Sequence, residues 1–209
     1  PDLAVRAATP RRLVIVLPQR SLVEQTRDRL TNWAANAGWA DADTPDHLPI
    51  HVLMGGESVD RWQLAPHKDA VIVGTLDMVL SRSLNRGYAM NRYAWPVDFG
   101  LLNNDCHYVL DEVQLMGAAV TTSRQMDAFR HTLGTAIPCT TTWMSATLDP
   151  ERLSTVDNPT VAKTFALLPD EMTDQLAERL GAKRTVARWL GDDTTNERPD
   201  KKQLPSLRA

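Results

Sequence analysis

The chain has 209 residues, of which 43% are hydrophobic and 23% are charged, and its formal net charge is −3. These values are typical of a globular protein with a packed core. They exclude an overall positive field that would draw the chain onto nucleic acid, so any nucleic-acid site must be a local patch. No apolar run approaches the roughly 18 residues needed to cross a bilayer.

The number and context of the cysteines indicate the redox environment of the protein. Cys106 and Cys139 are the two cysteines, and no signal-peptide pattern precedes them. This usage is typical of free thiols in a reducing environment. We therefore expect a cytoplasmic protein with no membrane partner.

Five apolar segments rich in β-branched residues predict strands. They are LVIVLP (13–18), IHVLM (50–54), AVIVGT (70–75), YVLDE (108–112) and TTTWMSAT (140–147). Most of these runs are continuous rather than alternating, which is typical of strands buried on both faces of a parallel sheet.

The first predicted helix, 21–38, follows the first strand. Ser21 and Glu24 have the spacing of a capping box, and Gly38 is a typical helix stop. The spacing predicts one buried face made of Leu22, Thr26, Leu30 and Trp33.

Two more helices are predicted after the third and fourth strands. Residues 76–84 follow Thr75, a candidate N-cap, and residues 118–134 end at Gly134. The second of these helices carries Met126, Phe129 and Leu133 at helical spacing. The segment 84–104 between them is predicted to be a long loop, a length that is uncommon unless the loop is functional or disordered.

The alternation of strands and helices predicts an α/β fold with a doubly wound, mainly parallel sheet and helices on both faces. Ligands of such sheets bind beyond the carboxyl ends of the strands. The polar residues at the predicted carboxyl ends are Gln19, Arg20, Thr75, Asp111, Glu112, Ser145 and Thr147. A functional site is therefore expected at that edge.

Asp111 and Glu112 form a pair that suits nucleotide hydrolysis. Asp111 would hold Mg²⁺ through water, because Mg²⁺ keeps most of its hydration shell. Glu112 would orient and deprotonate the attacking water. Adjacent residues at a strand end point in different directions, so one can face the metal and the other the nucleophile. A solvated turn is the alternative interpretation.

Four segments resemble motifs of superfamily 2 helicases and occur in the same order. They are VIVLPQRSLVEQT (14–26), VIVGTLDMV (71–79), DEVQ (111–114) and MSATLDP (144–150). The resemblance implies that Gln114, Ser145 and Thr147 couple hydrolysis to movement. It also implies that Arg20 and Thr75 contact DNA phosphates.

A closer resemblance comes from RGYAMNRYAWPVDFGLLNNDC (86–106) followed by VLDEVQLMG (109–117). These segments are similar to the helicase part of the CRISPR-associated type I helicase-nuclease. The resemblance implies that residues 1–155 are part of a first RecA-like domain, and we expect 156–209 to be an interdomain connector and flexible tail. ATP and Mg²⁺ are the implied cofactors. Single-stranded DNA, a CRISPR surveillance complex and the rest of the helicase-nuclease are the implied partners.

The phosphate-cradling G-x-x-x-x-G-K-[ST] loop of that family has no counterpart here, since the ten glycines include no Gly-Lys pair. We therefore expect a fragment that is incomplete at its N-terminus and inactive in isolation. Loss of a central strand would leave unpaired backbone groups, each costing roughly 1–3 kcal/mol, so a marginally stable or self-associating chain is expected. The alternative function is a non-catalytic RecA-like module that binds DNA or a surveillance complex.

The segment 82–95 offers a second nucleic-acid surface. Arginines interleave there with aromatic residues that can stack on bases, namely Arg82, Arg86, Arg92, Tyr88, Tyr93 and Trp95. A solvated loop with its aromatic side chains in the core is the alternative. Cys106, His107 and Cys139 lack the C-x-x-C spacing of a zinc site, and buried thiols are the commoner explanation for them.

Overall fold

The computed structural model describes residues 9–44, 46–56, 61–88, 90–147, 150–159 and 163–165, with positions 173, 178 and 181. The chain divides into two units, Pro1–Thr164 and Phe165–Ala209, and every element given below belongs to the first. Apolar residues near 161–167 predict one short strand, and the sequence of 170–190 predicts a helix, but both segments lie mostly outside the described residues. No helix in the described part is both long and apolar enough to cross a membrane.

Five parallel strands form one sheet in the order β2-β3-β1-β4-β5. Their bounds are β1 Arg12–Leu17, β2 Ile50–Leu53, β3 Ala70–Thr75, β4 Cys106–Leu110 and β5 Cys139–Trp143. Every pairing is parallel, which confirms the predicted α/β fold. Two predicted strand ends are wrong: β4 and β5 stop earlier, so Asp111, Glu112 and Ser145 lie in the following loops.

Within the described residues, four α-helices connect the strands. Their bounds are α1 Arg20–Asn36, α2 Leu76–Ser83, α3 Trp95–Leu102 and α4 Ala119–Leu133. Short 3₁₀ turns lie at Trp62–Leu64, Arg92–Ala94, Val113–Leu115 and Pro150–Leu153. The predicted long loop over 84–104 is wrong, because it contains α3. Pro96 in the first turn of α3 is the signal that could have revealed it, since the N–H that proline lacks is not needed there.

The predicted helix ends are partly correct. Gly38 and Gly134 follow α1 and α4 with φ angles of +76° and +78°, the left-handed backbone that favours glycine. The predicted capping box is wrong: Ser21 lies inside α1, and the extended residue before the helix is Gln19. Thr75 occupies the N-cap of α2 as predicted, but its side chain forms no capping hydrogen bond.

Helices cover both faces of the sheet, as predicted. One face contributes Val14, Ile72 and Tyr108 to a core that also contains residues of α2, α3 and α4. The opposite face packs Val71 and Val73 against Val23 of α1. Burial of these apolar side chains is the main favourable term in folding.

The face that packs against α1 is less covered at β4 and β5. His107 there lies close to two exposed threonines, with Nδ1 2.7 Å from Oγ1 of Thr140 and Nε2 3.3 Å from Oγ1 of Thr142. These polar side chains take positions that apolar residues such as Leu13 and Val71 occupy on β1 and β3. The sheet therefore has one fully apolar end and one partly polar end on this face.

The predicted buried faces of the helices are partly wrong. Trp33 is 59% exposed and Leu133 is 82% exposed. Helix α4 instead buries Arg124, Asp127 and Arg130 alongside Met126. Apolar spacing failed there because buried polar side chains pair with one another, as in the Arg124–Asp127 ion pair at 3.2 Å.

Both cysteines are free and buried, which confirms the predicted thiols. Cys106 and Cys139 are register partners on β4 and β5. Burial raises the pKa of the Cys106 thiol well above its ordinary value. The thiol of Cys106 therefore behaves as a small buried group that bonds to the carbonyl oxygen of Leu101 at 3.3 Å.

Gly74 permits a close approach at the carboxyl end of β3. A Cβ at this position would lie 2.6 Å from a methyl carbon of Val79 and 2.8 Å from the carbonyl oxygen of Leu53. A glycine is required because β2, β3 and α2 meet there with no space for a side chain. This packing fixes the position of the adjacent Thr75.

Candidate active site

The candidate site lies at the carboxyl edge of the sheet, around the ends of β1 and β4. Helix α1 follows β1 onto one face, whereas α4 follows β4 onto the other. Such a reversal opens a crevice between adjacent strand ends. The backbone N–H of Asp111 donates to the carbonyl oxygen of Val16 at 3.1 Å, which ties the loop after β4 to β1.

Asp111 is half-buried directly after β4. Its Oδ1 accepts the backbone N–H of Glu112 at 2.9 Å. Within the described part of the chain, Oδ2 has no hydrogen-bond partner. The carboxylate is therefore held in place through one oxygen while the other is available to a ligand. This arrangement fits a carboxylate that holds Mg²⁺ through water.

Glu112 has a left-handed backbone, with φ 56° and ψ 42°, and begins the 3₁₀ turn Val113–Leu115. This conformation is unfavourable for a residue with a side chain, by roughly 1–2 kcal/mol. The different directions of the two carboxylates were predicted to arise because adjacent residues at a strand end point in different directions. That explanation is wrong, because both residues follow β4 and the left-handed residue itself redirects the chain. Strained residues of this kind cluster at functional sites.

A continuous chain of hydrogen bonds joins the loops after β4 and β5. The amide nitrogen of Gln114 donates to Oε2 of Glu112. Oγ of Ser145 donates to Oε1 of Gln114 at 2.6 Å, and the backbone N–H of Thr147 donates to Oγ of Ser145 at 3.1 Å. Each predicted member of this set is therefore present, although Thr147 contributes its backbone rather than its hydroxyl.

Backbone hydrogen bonds beyond the strands hold these two loops together. Met144 N–H donates to the carbonyl oxygen of Leu110 at 2.8 Å, and Val113 N–H donates to that of Met144 at 3.1 Å. Pairing therefore continues past the last residue of β5, which brings Ser145 within reach of Gln114.

Arg20 and Thr75 lie at the same edge of the sheet. Arg20 is the exposed first residue of α1, and its Nη1 donates to the carbonyl oxygen of Gly55 at 2.7 Å. Gln19, the N-cap of α1, makes no side-chain capping bond, so the first N–H groups of the helix can receive an anion. Gly55 was not predicted as part of this edge, although the glycine pair after β2 was an available signal.

The sequence matches the DEAD/DEAH box helicase family over residues 3–156, most of the chain. The chain belongs to that family. Its five-stranded parallel sheet is that of a RecA-like domain of superfamily 2. No curated protein matches the sequence.

The helicase domain does not bring Arg86 to this edge. Helix α2 begins after Thr75 and runs for eight residues, about 12 Å, to its other end. The N–H of Arg86 bonds to the carbonyl oxygen of Ser81 at that far end. At the same end of α2, the carbonyl oxygen of Ser83 accepts a hydrogen bond from the side-chain amide of Asn103, a residue that lies shortly before β4. Arg86 is therefore displaced toward the amino edge of the sheet.

Arg92 and the tyrosines of this segment are exposed in the helicase domain. The guanidinium of Arg92 lies 5.3 Å from the centre of the Tyr93 ring. Tyr88 and Tyr93 are 65% and 78% exposed. Trp95 is only partly exposed, so the aromatic residues divide between surface and interior.

Arg82 does not belong to that exposed surface. Its Nη1 lies 2.7 Å from Oδ2 of Asp98, and both side chains are largely buried. Gln63 donates to the other oxygen of Asp98 at 2.7 Å. The prediction that Arg82 contributes to a single-strand surface is therefore wrong, because its charge is committed to a structural ion pair.

Proposed function

We propose that this helicase domain activates water for ATP hydrolysis in a single-stranded-DNA translocase of CRISPR interference. The observation that carries the proposal is the hydrogen-bond chain from Glu112 through Gln114 and Ser145 to Thr147. A solvated turn would have no physical need for such a connection between two loops.

In this proposal Asp111 and Glu112 divide the chemistry. ATP would supply the electrophilic phosphorus, and Mg²⁺ would neutralise the charge that develops during phosphoryl transfer. Asp111 would hold the hydrated metal through Oδ2, for which the described residues provide no partner. Glu112 would accept the proton of the attacking water through the oxygen that Gln114 does not occupy.

Gln114 would couple hydrolysis to movement. It donates to Glu112 and accepts from Ser145, so a shift of the loop after β5 changes the hydrogen bond that orients the base. Carboxylate bases act efficiently only when held within hydrogen-bond reach of the water. The same link would transmit the state of the nucleotide to the segment that contains Thr147.

Two surfaces are proposed to contact single-stranded DNA. At the carboxyl edge, Arg20, Thr75 and the start of α1 would bind phosphates. Arg86 and Arg92, with the exposed tyrosines, would form a second surface where bases stack. Contacts with a surveillance complex and with the rest of a helicase-nuclease are proposed from the resemblance of segments 86–106 and 109–117.

A non-catalytic RecA-like module is the second candidate. It is favoured by the composition of the 209 residues, which contain no Gly-Lys pair and hence no phosphate-cradling loop. Such a module would bind DNA or a surveillance complex through the same surfaces without turning over nucleotide. ATP hydrolysis by this chain alone is accordingly not expected.

Glu112→Gln in the protein as its gene encodes it separates the two candidates. We expect DNA-stimulated ATP hydrolysis to fall by at least about 100-fold, because the amide cannot accept the proton. ATP binding, measured by equilibrium dialysis, should change little. The matched control is Glu24→Gln on the exposed side of α1, which should hydrolyse ATP at the original rate.

A rate that is unchanged in Glu112→Gln would contradict the catalytic proposal. If the original protein also failed to hydrolyse ATP while still binding single-stranded DNA, the non-catalytic module would be the better description.

A further inference from the structure

A pocket of about 280 Å³ lies at the amino edge of the sheet, opposite the candidate active site. It is lined by the first residues of β1 and β3, the start of β2 and the 3₁₀ turn Trp62–Leu64. We call this the amino-side pocket. Its volume is about nine times the roughly 30 Å³ that one water occupies in the liquid, so a single bridging water would not fill it.

Five of the eleven residues that line the amino-side pocket are basic, and the other six are alanine, proline or tryptophan. The basic residues are Arg12, His47, His51, Arg61 and Lys68. No aspartate or glutamate is among the described lining residues. A concentration of one sign of charge in a recess attracts ligands of the opposite sign. The charge pattern therefore favours an anion.

Arg12 is fixed in the wall of the pocket. Its Nη1 donates to the carbonyl oxygen of Pro66 at 3.0 Å and its Nη2 to that of Asn104 at 2.8 Å. Asp105 lies 3.8 Å from the guanidinium but also pairs with Arg11 at 2.9 Å. One carboxylate thus serves two arginines, and a positive charge is left over.

Three pocket residues have buried nitrogen atoms without hydrogen-bond partners among the described residues. These atoms are Nε of Arg12, Nε1 of Trp62 and Nδ1 of His47. Arg12 and Trp62 are each only 4% exposed. A buried donor left without an acceptor costs roughly 1–3 kcal/mol, and native proteins seldom retain one without a reason. These atoms are themselves covered by the protein, so the charges of the pocket wall are what favours an anion there.

We propose that the amino-side pocket binds a phosphomonoester. A phosphate group offers several acceptor oxygens to separate donors and carries up to two negative charges opposite Arg12, Arg61 and Lys68. A neutral ligand would leave the excess positive charge without a counter-charge. The ligand is a nucleoside monophosphate or the 5′-phosphate end of a nucleic-acid strand, and both present the same group. This site is separate from the one proposed for ATP hydrolysis.

Isothermal titration calorimetry on the full chain tests the proposal, with thymidine 5′-monophosphate, inorganic phosphate and thymidine as probes. The two phosphates are expected to bind and thymidine is not. Arg61→Ala and Lys68→Ala each remove an exposed cation from the pocket wall without disturbing the core. Each should weaken binding of the monophosphate about tenfold. Arg29→Ala, an exposed position on α1 outside the pocket, is the matched control and should bind as the original chain does.

A short oligothymidylate with and without a 5′-phosphate identifies the source of the group. Tighter binding of the phosphorylated strand, reduced by Arg61→Ala, would assign the pocket to nucleic-acid ends. Binding of the mononucleotide without this preference would assign it to a small metabolite. The proposal is overturned if thymidine binds as tightly as its monophosphate, if no phosphate binds, or if both pocket variants retain full affinity.

Discussion

Strand β4 has an aspartate at each end, and the two differ in almost every respect. Asp105 precedes the strand and is 3% exposed, with Oδ2 2.9 Å from Nη1 of Arg11 and 3.8 Å from Nη2 of Arg12. Asp111 follows the strand and is half-buried, and its carboxylate accepts only the N–H of Glu112 among the described residues. The carboxylate of Asp105 therefore stabilises the fold, whereas that of Asp111 has an oxygen available to bind a ligand.

The difference shows how one parallel sheet separates stability from function. At the amino edge, arginine side chains bond to carbonyl oxygens and to a buried carboxylate. Loss of that carboxylate would leave positive charge unpaired. At the carboxyl edge, Glu112, Gln114 and Ser145 bond to one another, and Glu112 adopts an unfavourable backbone. Groups that are free to bind ligands must forgo partners that would stabilise the fold.

The largest expected effect comes from comparing Asp105→Asn with Asp111→Asn. Asparagine tolerates the left-handed backbone at 105 and can still accept the N–H of Arg11, so only the charge is lost. We expect Asp105→Asn to lower the free energy of unfolding by about 3 kcal/mol, because buried Arg12 loses its counter-charge. Asp111→Asn should change it by less than about 1 kcal/mol. Urea denaturation followed by circular dichroism measures both, and equal losses would remove the distinction between the two ends.

A smaller effect is expected on nucleic-acid binding. Arg20→Ala removes a cation at the carboxyl edge, and the double variant Arg86→Ala with Arg92→Ala removes two from the other surface. Each lost phosphate contact should weaken single-stranded DNA binding about fivefold to tenfold. It should also lower the number of counterions released on binding, given by the slope of log affinity against log salt concentration, by roughly one. Fluorescence anisotropy at several salt concentrations gives both quantities. Unchanged affinity in either variant would exclude that surface.

The smallest expected effect concerns the strained backbone at Glu112. Glu112→Gly and Glu112→Ala both remove the carboxylate, but only glycine relieves the positive φ angle. The glycine variant should therefore be more stable than the alanine variant by about 1 kcal/mol. When glycine and alanine replace Glu24, inside α1, the alanine variant should instead be the more stable one by a similar amount, because glycine disfavours a helix. The same order at both positions would show that the backbone at Glu112 is unstrained.

Much of the carboxyl edge could be predicted from the chain because local patterns report it. Continuous apolar runs identified β1 to β5, and the polar residues after them identified Arg20, Thr75, Asp111 and Ser145. Helix α3 was missed because its sequence, WPVDFGLL, is apolar on almost every side, with Asp98 as its one charge, and so shows no helical period. Trp33 and Phe129 were assigned to buried faces because periodicity cannot tell which side of a helix meets the sheet.

The amino-side pocket had no signal in the sequence. Arg12, His47 and Trp62 are separated along the chain and follow no motif, and their proximity depends on how β1, β2 and the 3₁₀ turn Trp62–Leu64 are arranged. Arg82 illustrates the converse. It resembled a surface cation in the sequence, but α3 places Asp98 beside it.

Local patterns in the amino-acid sequence are enough to establish the parallel α/β class, the order of the motifs and the residues that gather at the carboxyl edge, because these depend on local hydrophobicity and on the direction of each strand. The folded chain is needed to see the hydrogen-bond chain from Glu112 to Thr147, the partners of each arginine and the amino-side pocket. Burial and pairing of polar groups depend on neighbours from distant parts of the chain, and a local pattern carries no record of those neighbours.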